Sequence, residues 1–94
     1  TLYSTTKSAL TAFSKGLARD LGSRAITVNL VQPGPTDTDL NPANGDHADG
    51  LRALTALGRY GEREDIASAV AFLVSPAAKF ITGTVLNVDG GISA

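Results

Sequence analysis

Apolar residues recur at three- and four-residue steps through the first fifth of the chain. From Leu2 to Leu21 they form one stripe, with charged residues off it, consisting of Leu10, Phe13, Leu17 and Leu21. This spacing places the stripe on one face of an amphipathic helix. Gly22 follows the last apolar position, and we expect it to end the helix.

The next apolar segment does not follow a helical period. Residues 25–31 are apolar at nearly every position except Thr27 and Asn29, a pattern typical of a parallel strand covered on both faces. Residues 32–35 contain two prolines and a glycine, and we expect them to stop this strand. Ligands bind beyond the carboxyl ends of strands in open parallel sheets. Thr36 and Thr38 offer hydroxyl groups at that point.

Residues 41–58 begin as a loop rich in Asn, Pro and Gly. Leu51, Leu54 and Leu57 then give an apolar edge to a short, weak helix. Two interpretations stay open for this segment: a mobile flap over a ligand, or a plain surface connection. His47 lies between Asp46 and Asp49, and we interpret this group as solvated side chains, so no metal site is predicted.

A second helix and a second strand follow. Acidic residues at positions 62–65 suit the first turn of a helix that ends before Ser75-Pro76. Its predicted buried face consists of Ile66, Ala69, Val70, Phe72 and Leu73. Residues 84–88 read as a strand, which the helix would connect to a parallel neighbour. The predicted order is therefore helix, strand, flap, helix, strand, in an α/β fold.

Composition limits the class of protein. The 94 residues carry a formal net charge of -1, which gives no electrostatic footprint for nucleic acid or for an anionic membrane. Cysteine is absent, which excludes disulfides and thiolate metal sites. No apolar run reaches the length of a membrane span. We therefore expect a soluble, cytoplasmic domain with neither nucleic acid nor membrane as a partner.

Tyr3 and Lys7 are the candidate chemical groups. At positions i and i+4 of the first helix, the phenol and the ammonium share one face. A neighbouring ammonium favours the tyrosinate, so it lowers a tyrosine pKa toward working pH and makes the phenol a usable proton donor and acceptor. The alternative is a partly buried ring beside a solvated charge.

Five segments in order along the chain resemble the short-chain dehydrogenase/reductase family. Residues 3–7 (YSTTK) resemble its Tyr-x-x-x-Lys signature, and residues 28–34 (VNLVQPG) resemble its strand followed by Pro-Gly. The other three segments are 58–67, 80–83 and 88–91. The resemblance implies a Rossmann-type, doubly wound parallel sheet and an NAD- or NADP-dependent oxidoreductase, in the group that includes 3-oxoacyl-carrier-protein reductases.

The resemblance also implies roles for individual residues. Tyr3 would exchange a proton with the oxygen of a small-molecule carbonyl or alcohol substrate, while Lys7 would hold the nicotinamide ribose and lower the tyrosine pKa. Pro33, Gly34, Thr36 and Thr38 would line the nicotinamide and phosphate side of the cofactor. Hydroxyls after a strand also serve as turn or cap residues, and we assign Asp37 and Asp39 to that second role.

The resemblance covers only the C-terminal portion of such a domain. No glycine-rich turn between a strand and a helix occurs in the sequence, and the family's serine upstream of the tyrosine would precede residue 1. We therefore expect residues 1–94 to be the C-terminal part of one NAD(P)-binding domain that forms a homo-oligomer. The alternative is a non-catalytic oligomerisation module or a truncated remnant.

Overall fold

The computed structural model describes all residues from 1 to 94. The regular elements follow in the order α1 (Leu2–Leu21), β1 (Leu30–Pro33), α2 (Ala48–Leu54), α3 (Arg63–Leu73) and β2 (Val85–Val88). Single 3-10 turns occupy Gly22–Arg24 and Pro76–Ala78. This order confirms the predicted α/β class. None of the helices combines the length and the apolar character needed to cross a bilayer.

Strands β1 and β2 are neighbours in a two-stranded sheet. The Leu30 amide donates to Thr84 O at 2.9 Å, and the Gly34 amide donates to Val88 O at 3.0 Å. Residue numbers rise together along both strands, so the pair is parallel, as predicted. The chain divides into two compact units, Thr1–Leu30 with Leu73–Leu86, and Val31–Phe72 with Asn87–Ala94.

Helix α1 begins with a side-chain cap and ends where the sequence predicts. The Thr1 hydroxyl accepts from the Ser4 amide at 3.2 Å, which satisfies one of the free N–H groups of the first turn. The helix ends at Leu21, but Gly22 keeps right-handed backbone angles and starts a 3-10 turn. The left-handed residue that turns the chain is Ala25, with φ 58°. The change of chain direction after α1 therefore does not use a glycine with left-handed backbone angles.

The apolar stripe predicted for α1 is covered only in its second half, where Leu17 and Leu21 are partly buried. The buried residues are Ser14 and Ala18, whereas Leu10 and Phe13 are half or more exposed. The Lys15 ammonium donates to Gly83 O at 2.8 Å, and a Cβ placed on Gly83 would lie 3.6 Å from Ala18 Cβ. The backbone before β2 thus comes close to α1 at the small side chain of Ala18.

Strand β1 starts later than predicted and runs further. Residues 26–29 lack a regular ladder because a side chain takes over its hydrogen bonds: the Asn29 amide group donates to Ile81 O and accepts from the Thr84 amide, at 3.2 and 3.1 Å. The ladder begins at Leu30 and includes Gln32 and Pro33, which the sequence placed in the stop signal. Strand β2 lies within the predicted residues 84–88.

Helix α3 has the predicted first turn but a narrower buried face. Asp65 Oδ2 accepts from the Glu62 amide at 2.8 Å, the geometry of a capping-box carboxylate. Ile66, Ala69 and Leu73 share one line along the helix and are at least partly covered. Val70 and Phe72 lie to either side of that line and are exposed, contrary to prediction.

Candidate active site

Tyr3 and Lys7 lie on the first two turns of α1, and the structure brings them together. Lys7 Nζ lies over the Tyr3 ring, 5.5 Å from its centroid. The intervening Thr5 and Thr6 hydroxyls donate back to the carbonyls of Thr1 and Leu2, at 2.9 and 2.8 Å. The phenol and the ammonium are therefore the two polar side chains in this stretch that project freely from the helix.

The polar ends of this pair are both available. Neither the Tyr3 hydroxyl nor the Lys7 ammonium has a hydrogen-bond partner among residues 1–94, and the Tyr3 side chain belongs to a residue that is 72% exposed. The alternative of a partly buried ring does not fit this exposure. A phenol can donate or accept one proton, and an ammonium offers three donors. The arrangement suits proton exchange beside a ligand that carries hydroxyl groups.

The end of β1 is tightly built around Gly34. Its amide is engaged with Val88 O, and a Cβ placed on it would lie 2.7 Å from both Cα and Cβ of Asp89. Only glycine allows this approach, because real Cβ atoms do not come that close to other heavy atoms. The need for glycine at position 34 is thus explained by Asp89, independently of any ligand. Pro33, the last residue of β1, is exposed beside it.

Thr36 and Thr38 differ in what their hydroxyls can still do. The Thr36 hydroxyl donates to Gly34 O at 2.9 Å, so its hydrogen is committed. Thr38 Oγ1 accepts from the Asn41 amide at 3.1 Å, which leaves its hydrogen free to donate. Both residues also have the turn roles that the sequence left open as an alternative. Of the two, Thr38 is the better donor to an anionic ligand.

Asp37 and Asp39 were both assigned as turn or cap residues, and only one fits. Asp37 Oδ1 accepts from the Ala43 amide at 2.8 Å and so ties residues 37–43 into a loop. Asp39 makes no such bond; its carboxylate lies 3.5 Å from the Arg63 guanidinium, with both side chains well exposed. The Asp39 assignment is therefore wrong, because its carboxylate contacts the Arg63 side chain and caps no backbone amide.

The segment interpreted either as a flap or as a plain surface connection contains the short helix α2 and a network of contacts that the sequence did not predict. The Arg52 guanidinium lies over the Tyr60 ring at 5.5 Å from the centroid, pairs with Asp49 at 2.7 Å, and donates to Ala43 O. The Asp49–Arg52 spacing was visible in the sequence, but nothing there indicated the ring or the carbonyl. Leu54 and Leu57 point outward and are exposed.

A separate cavity of about 480 Å³ lies in the unit that contains α3, lined by Arg59, Asp65 and Asp89 among others. The Glu62 amide, and then the Arg59 guanidinium, lower the pKa of the Asp65 carboxyl. The Ser93 hydroxyl and the Gly91 amide lower the pKa of the Asp89 carboxyl. Both carboxylates are thus already engaged in hydrogen bonds of the protein. Among residues 1–94 no cluster of His, Asp or Glu has the geometry to hold a metal ion.

Comparison with known proteins places the whole chain in one group. A family model described as enoyl-(acyl carrier protein) reductase matches residues 1–93. The cyclic-di-GMP-binding biofilm dispersal mediator protein of Escherichia coli is 51% identical over 92 residues, covering 98% of this chain and 39% of that protein. The 3-oxoacyl-[acyl-carrier-protein] reductase of Salmonella typhimurium is 48% identical over 91 residues, covering 96% and 37%.

Solved structures agree with the fold. A short-chain dehydrogenase/reductase from Serratia marcescens is 58% identical, with a TM-score of 0.93, over 98% of this chain and 38% of its own. A short-chain dehydrogenase from Burkholderia cenocepacia in complex with NADP is 54% identical, with a TM-score of 0.93, over 99% and 38%. The chain thus spans somewhat more than a third of the length of these relatives.

Proposed function

The chain belongs to the short-chain dehydrogenase/reductase family, and from this premise we propose that it is part of an NAD(P)-dependent oxidoreductase that interconverts a carbonyl and an alcohol. The observation that carries the proposal is the Tyr3–Lys7 pair, with an ammonium over the phenol ring and both polar ends free. Such a pair is suited to move one proton at a substrate oxygen. A bound nicotinamide would supply the hydride in the reducing direction and accept it in the oxidising direction.

Tyr3 is proposed as the proton donor and acceptor. In the reducing direction its hydroxyl gives a proton to the carbonyl oxygen while that oxygen gains negative charge; in the oxidising direction the phenolate takes the alcohol proton. Lys7 stabilises the phenolate electrostatically, because its charge lies within reach of the ring. Its free N–H donors suit the ribose hydroxyls of a dinucleotide.

The loop after β1 is proposed as part of the cofactor site. The Thr38 hydroxyl, with its hydrogen free, suits a phosphate oxygen, whereas Thr36 serves as an acceptor. Gly34 and Pro33 contribute shape rather than hydrogen bonds, because the Gly34 amide is committed to Val88. NADP is the favoured form of the cofactor, since similar structures from Burkholderia cenocepacia and from a metagenomic library are in complex with NADP and NADPH.

Residues 1–94 are proposed to be the C-terminal part of a single NAD(P)-binding domain. The support is the order of the five resembling segments, which starts at the Tyr-x-x-x-Lys signature, and the coverage of little more than a third of each relative. The remainder of the domain would supply the phosphate-binding turn. We place the whole protein in the cytoplasm, as a homo-oligomer that acts on a small molecule.

The substrate is proposed only as a carbonyl or alcohol with apolar character. The names of the relatives differ in what they act on or bind, and this chain is about equally similar to them. Leu40, Leu54 and Leu57 are exposed on the segment that follows the cofactor loop. Apolar side chains displayed next to a ligand-binding loop favour a partly hydrophobic substrate.

The test of the proposal is Tyr3→Phe in the full-length protein, with Tyr60→Phe as the matched control. Losing a general acid–base group is expected to lower kcat by about 10²–10⁴-fold on a panel of ketones with NADPH. Tyr60 is the only other tyrosine, and its hydroxyl has a single long contact of 3.4 Å to Asn41, so its variant should keep most activity. Unchanged turnover in Tyr3→Phe would remove Tyr3 from the reaction.

A non-catalytic interaction module is the second candidate, and the exposed apolar side chains of α1 favour it. Leu2, Leu10 and Phe13 lie outside any core formed by these 94 residues. Titration of the full-length protein with NADPH, followed by fluorescence, separates the candidates. Binding accompanied by turnover supports the oxidoreductase, whereas absence of binding in a folded oligomer supports the interaction module.

A further inference from the structure

Several contacts of the flap, here taken as residues 41–54 of the segment 41–58, converge on a single guanidinium, that of Arg52. Arg52 Nη1 lies 2.7 Å from Asp49 Oδ1, and Arg52 Nη2 donates to Ala43 O. The backbone carbonyl of Arg52 accepts from both the amide and the hydroxyl of Thr55, at 3.1 and 3.0 Å. Arg52 thus joins the start of the flap, its helix α2 and the turn that leaves it.

The Arg52 guanidinium lies over the aromatic ring of Tyr60. The residue is only 6% exposed, which makes it one of the few buried large side chains of the chain, and its ring carries the Arg52 guanidinium at 5.5 Å from the centroid. A planar guanidinium can stack on an aromatic face and still use its N–H groups in the plane. A lysine ammonium cannot reproduce that geometry.

Ala43 links Arg52 to the proposed cofactor loop by two hydrogen bonds. Ala43 accepts from Arg52 with its carbonyl and donates from its amide to Asp37 Oδ1 at 2.8 Å. Asp37 lies between Thr36 and Thr38 in the sequence. Thr38 itself is bonded to Asn41, at the start of the flap. The position of the Thr38 hydroxyl is therefore coupled to the folding of the flap by consecutive hydrogen bonds.

We propose that Arg52 is a positioning residue that holds the flap on Tyr60 and thereby fixes the Thr38 loop for the cofactor. This inference rests on the proposed function, in which Thr38 faces the dinucleotide. When Arg52 no longer contacts Ala43 and Tyr60, the flap opens more often and the loop that carries Thr38 becomes more mobile. Arg52 then acts on cofactor affinity rather than on the proton-transfer step at Tyr3.

A second arginine provides a matched control. Arg63 also bonds a carboxylate of this loop region, Asp39, at 3.5 Å. Both of those side chains are largely exposed, and Arg63 has no ring beneath it and no bond to the flap backbone. Removing Arg63 deletes the same charge from the same unit without touching the Arg52 contacts.

The first experiment measures amide hydrogen exchange in the full-length protein without cofactor. Arg52→Met, which keeps an unbranched apolar stem, is expected to speed exchange of residues 41–54 by about tenfold, equivalent to about 1.4 kcal/mol of local opening. Arg63→Met should leave these rates within about twofold of the parent. Exchange that is unchanged in Arg52→Met, or raised equally along α1, overturns the proposal.

The second experiment measures NADPH affinity and steady-state kinetics on the same variants. Arg52→Met is expected to raise the Kd and the KM for NADPH about five- to tenfold, with kcat changed less than about twofold. Arg52→Lys, which keeps a cation over the ring but loses the fork, should recover part of the affinity. A drop in kcat with unchanged Kd contradicts a positioning role, as does full recovery by lysine.

Tyr60→Leu keeps the test informative should Arg52→Met fail to fold. Leucine keeps an apolar side chain beneath Arg52 but removes the aromatic face, so flap exchange should rise and NADPH affinity fall in the same direction. A normal flap and normal affinity in Tyr60→Leu oppose the proposal. Failure of the proposed function is distinguishable: Arg52→Met would then still speed flap exchange, while the parent protein would not bind NADPH.

Discussion

The first two turns of α1 and the loop from Gly34 to Ala43 carry the proposed functional groups, and they are built in opposite ways. In α1 the pairing of Tyr3 with Lys7 follows from the helical repeat alone. In the loop, Thr36 and Thr38 bond to near neighbours, but Gly34 is held by Val88, which is distant in the chain. Substitutions on the surface of the helix should therefore change stability little. In the loop, one carbon atom added at Gly34 would clash with Asp89.

The largest expected difference between the two regions comes from adding one methyl group to a glycine. Gly34→Ala places a Cβ 2.7 Å from two atoms of Asp89 and is expected to lower the free energy of unfolding by about 2 kcal/mol. Gly16→Ala in α1 meets no atom within 4 Å and should raise that free energy by about 0.5–1 kcal/mol. Urea denaturation of the full-length variants measures both, and equal effects would remove the contrast.

A smaller loss is expected where a side chain replaces the sheet ladder. Asn29→Ala removes the bonds to Ile81 O and the Thr84 amide, leaving two partly buried backbone groups unpaired, at a cost of about 1–2 kcal/mol. Thr27→Ala, at an exposed position in the same segment, should change stability by less than about 0.5 kcal/mol. Similar urea midpoints for both variants would show that Asn29 does not hold the strand.

The Tyr3–Lys7 contact should contribute less to stability than either loop feature. Because the pair is exposed, we expect a coupling free energy of about 0.5–1 kcal/mol in a double-mutant cycle of Tyr3→Leu and Lys7→Met. The catalytic loss in Lys7→Met should be much larger than this stability effect. A cycle with no coupling, together with unchanged turnover, would mean that the two side chains do not act as a pair.

The smallest expected effect is a pH dependence at the C-terminal turn. Hydrogen bonds from Ser93 and Gly91 lower the pKa of the Asp89 carboxyl below the value of an unfolded aspartate, about 3.9. The stabilisation is complete above that unfolded pKa and is lost as the pH falls through the folded pKa. NMR titration should show a lowered Asp89 pKa that moves back up in Ser93→Ala, the variant lacking the main donor. An unmoved pKa would exclude the Ser93 bond.

Prediction from the sequence succeeded for regular elements and failed for the faces they bury. The ends of α1, the existence of α2 and the position of β2 follow local rules of spacing and capping. The apolar stripe predicted for α1 is covered only in its second half, and the glycine that approaches Ala18, Gly83, lies far along the chain, where no local pattern indicates it. The early start assigned to β1 failed for a related reason, since Asn29 takes up distant backbone groups.

The residues of the candidate site also fall into those that local spacing predicts and those that it does not. Tyr3 and Lys7 could be found from their spacing, because four residues in a helix fix a shared face. Arg52 and Tyr60 could not, because a cation and a ring eight residues apart, with a helix end between them, meet only through the fold. The different states of the Thr36 and Thr38 hydroxyls were equally hidden, since each depends on which backbone group lies nearby.

The sequence by itself determined the α/β class, the order of the elements and the phenol–ammonium pair, because these depend on periodicity within one element. The tertiary structure alone decided which face of α1 is covered, why position 34 must be glycine and what holds the flap. Those features depend on atoms far apart in the chain that come within a few ångströms of each other, and no local pattern of residue types encodes such distances.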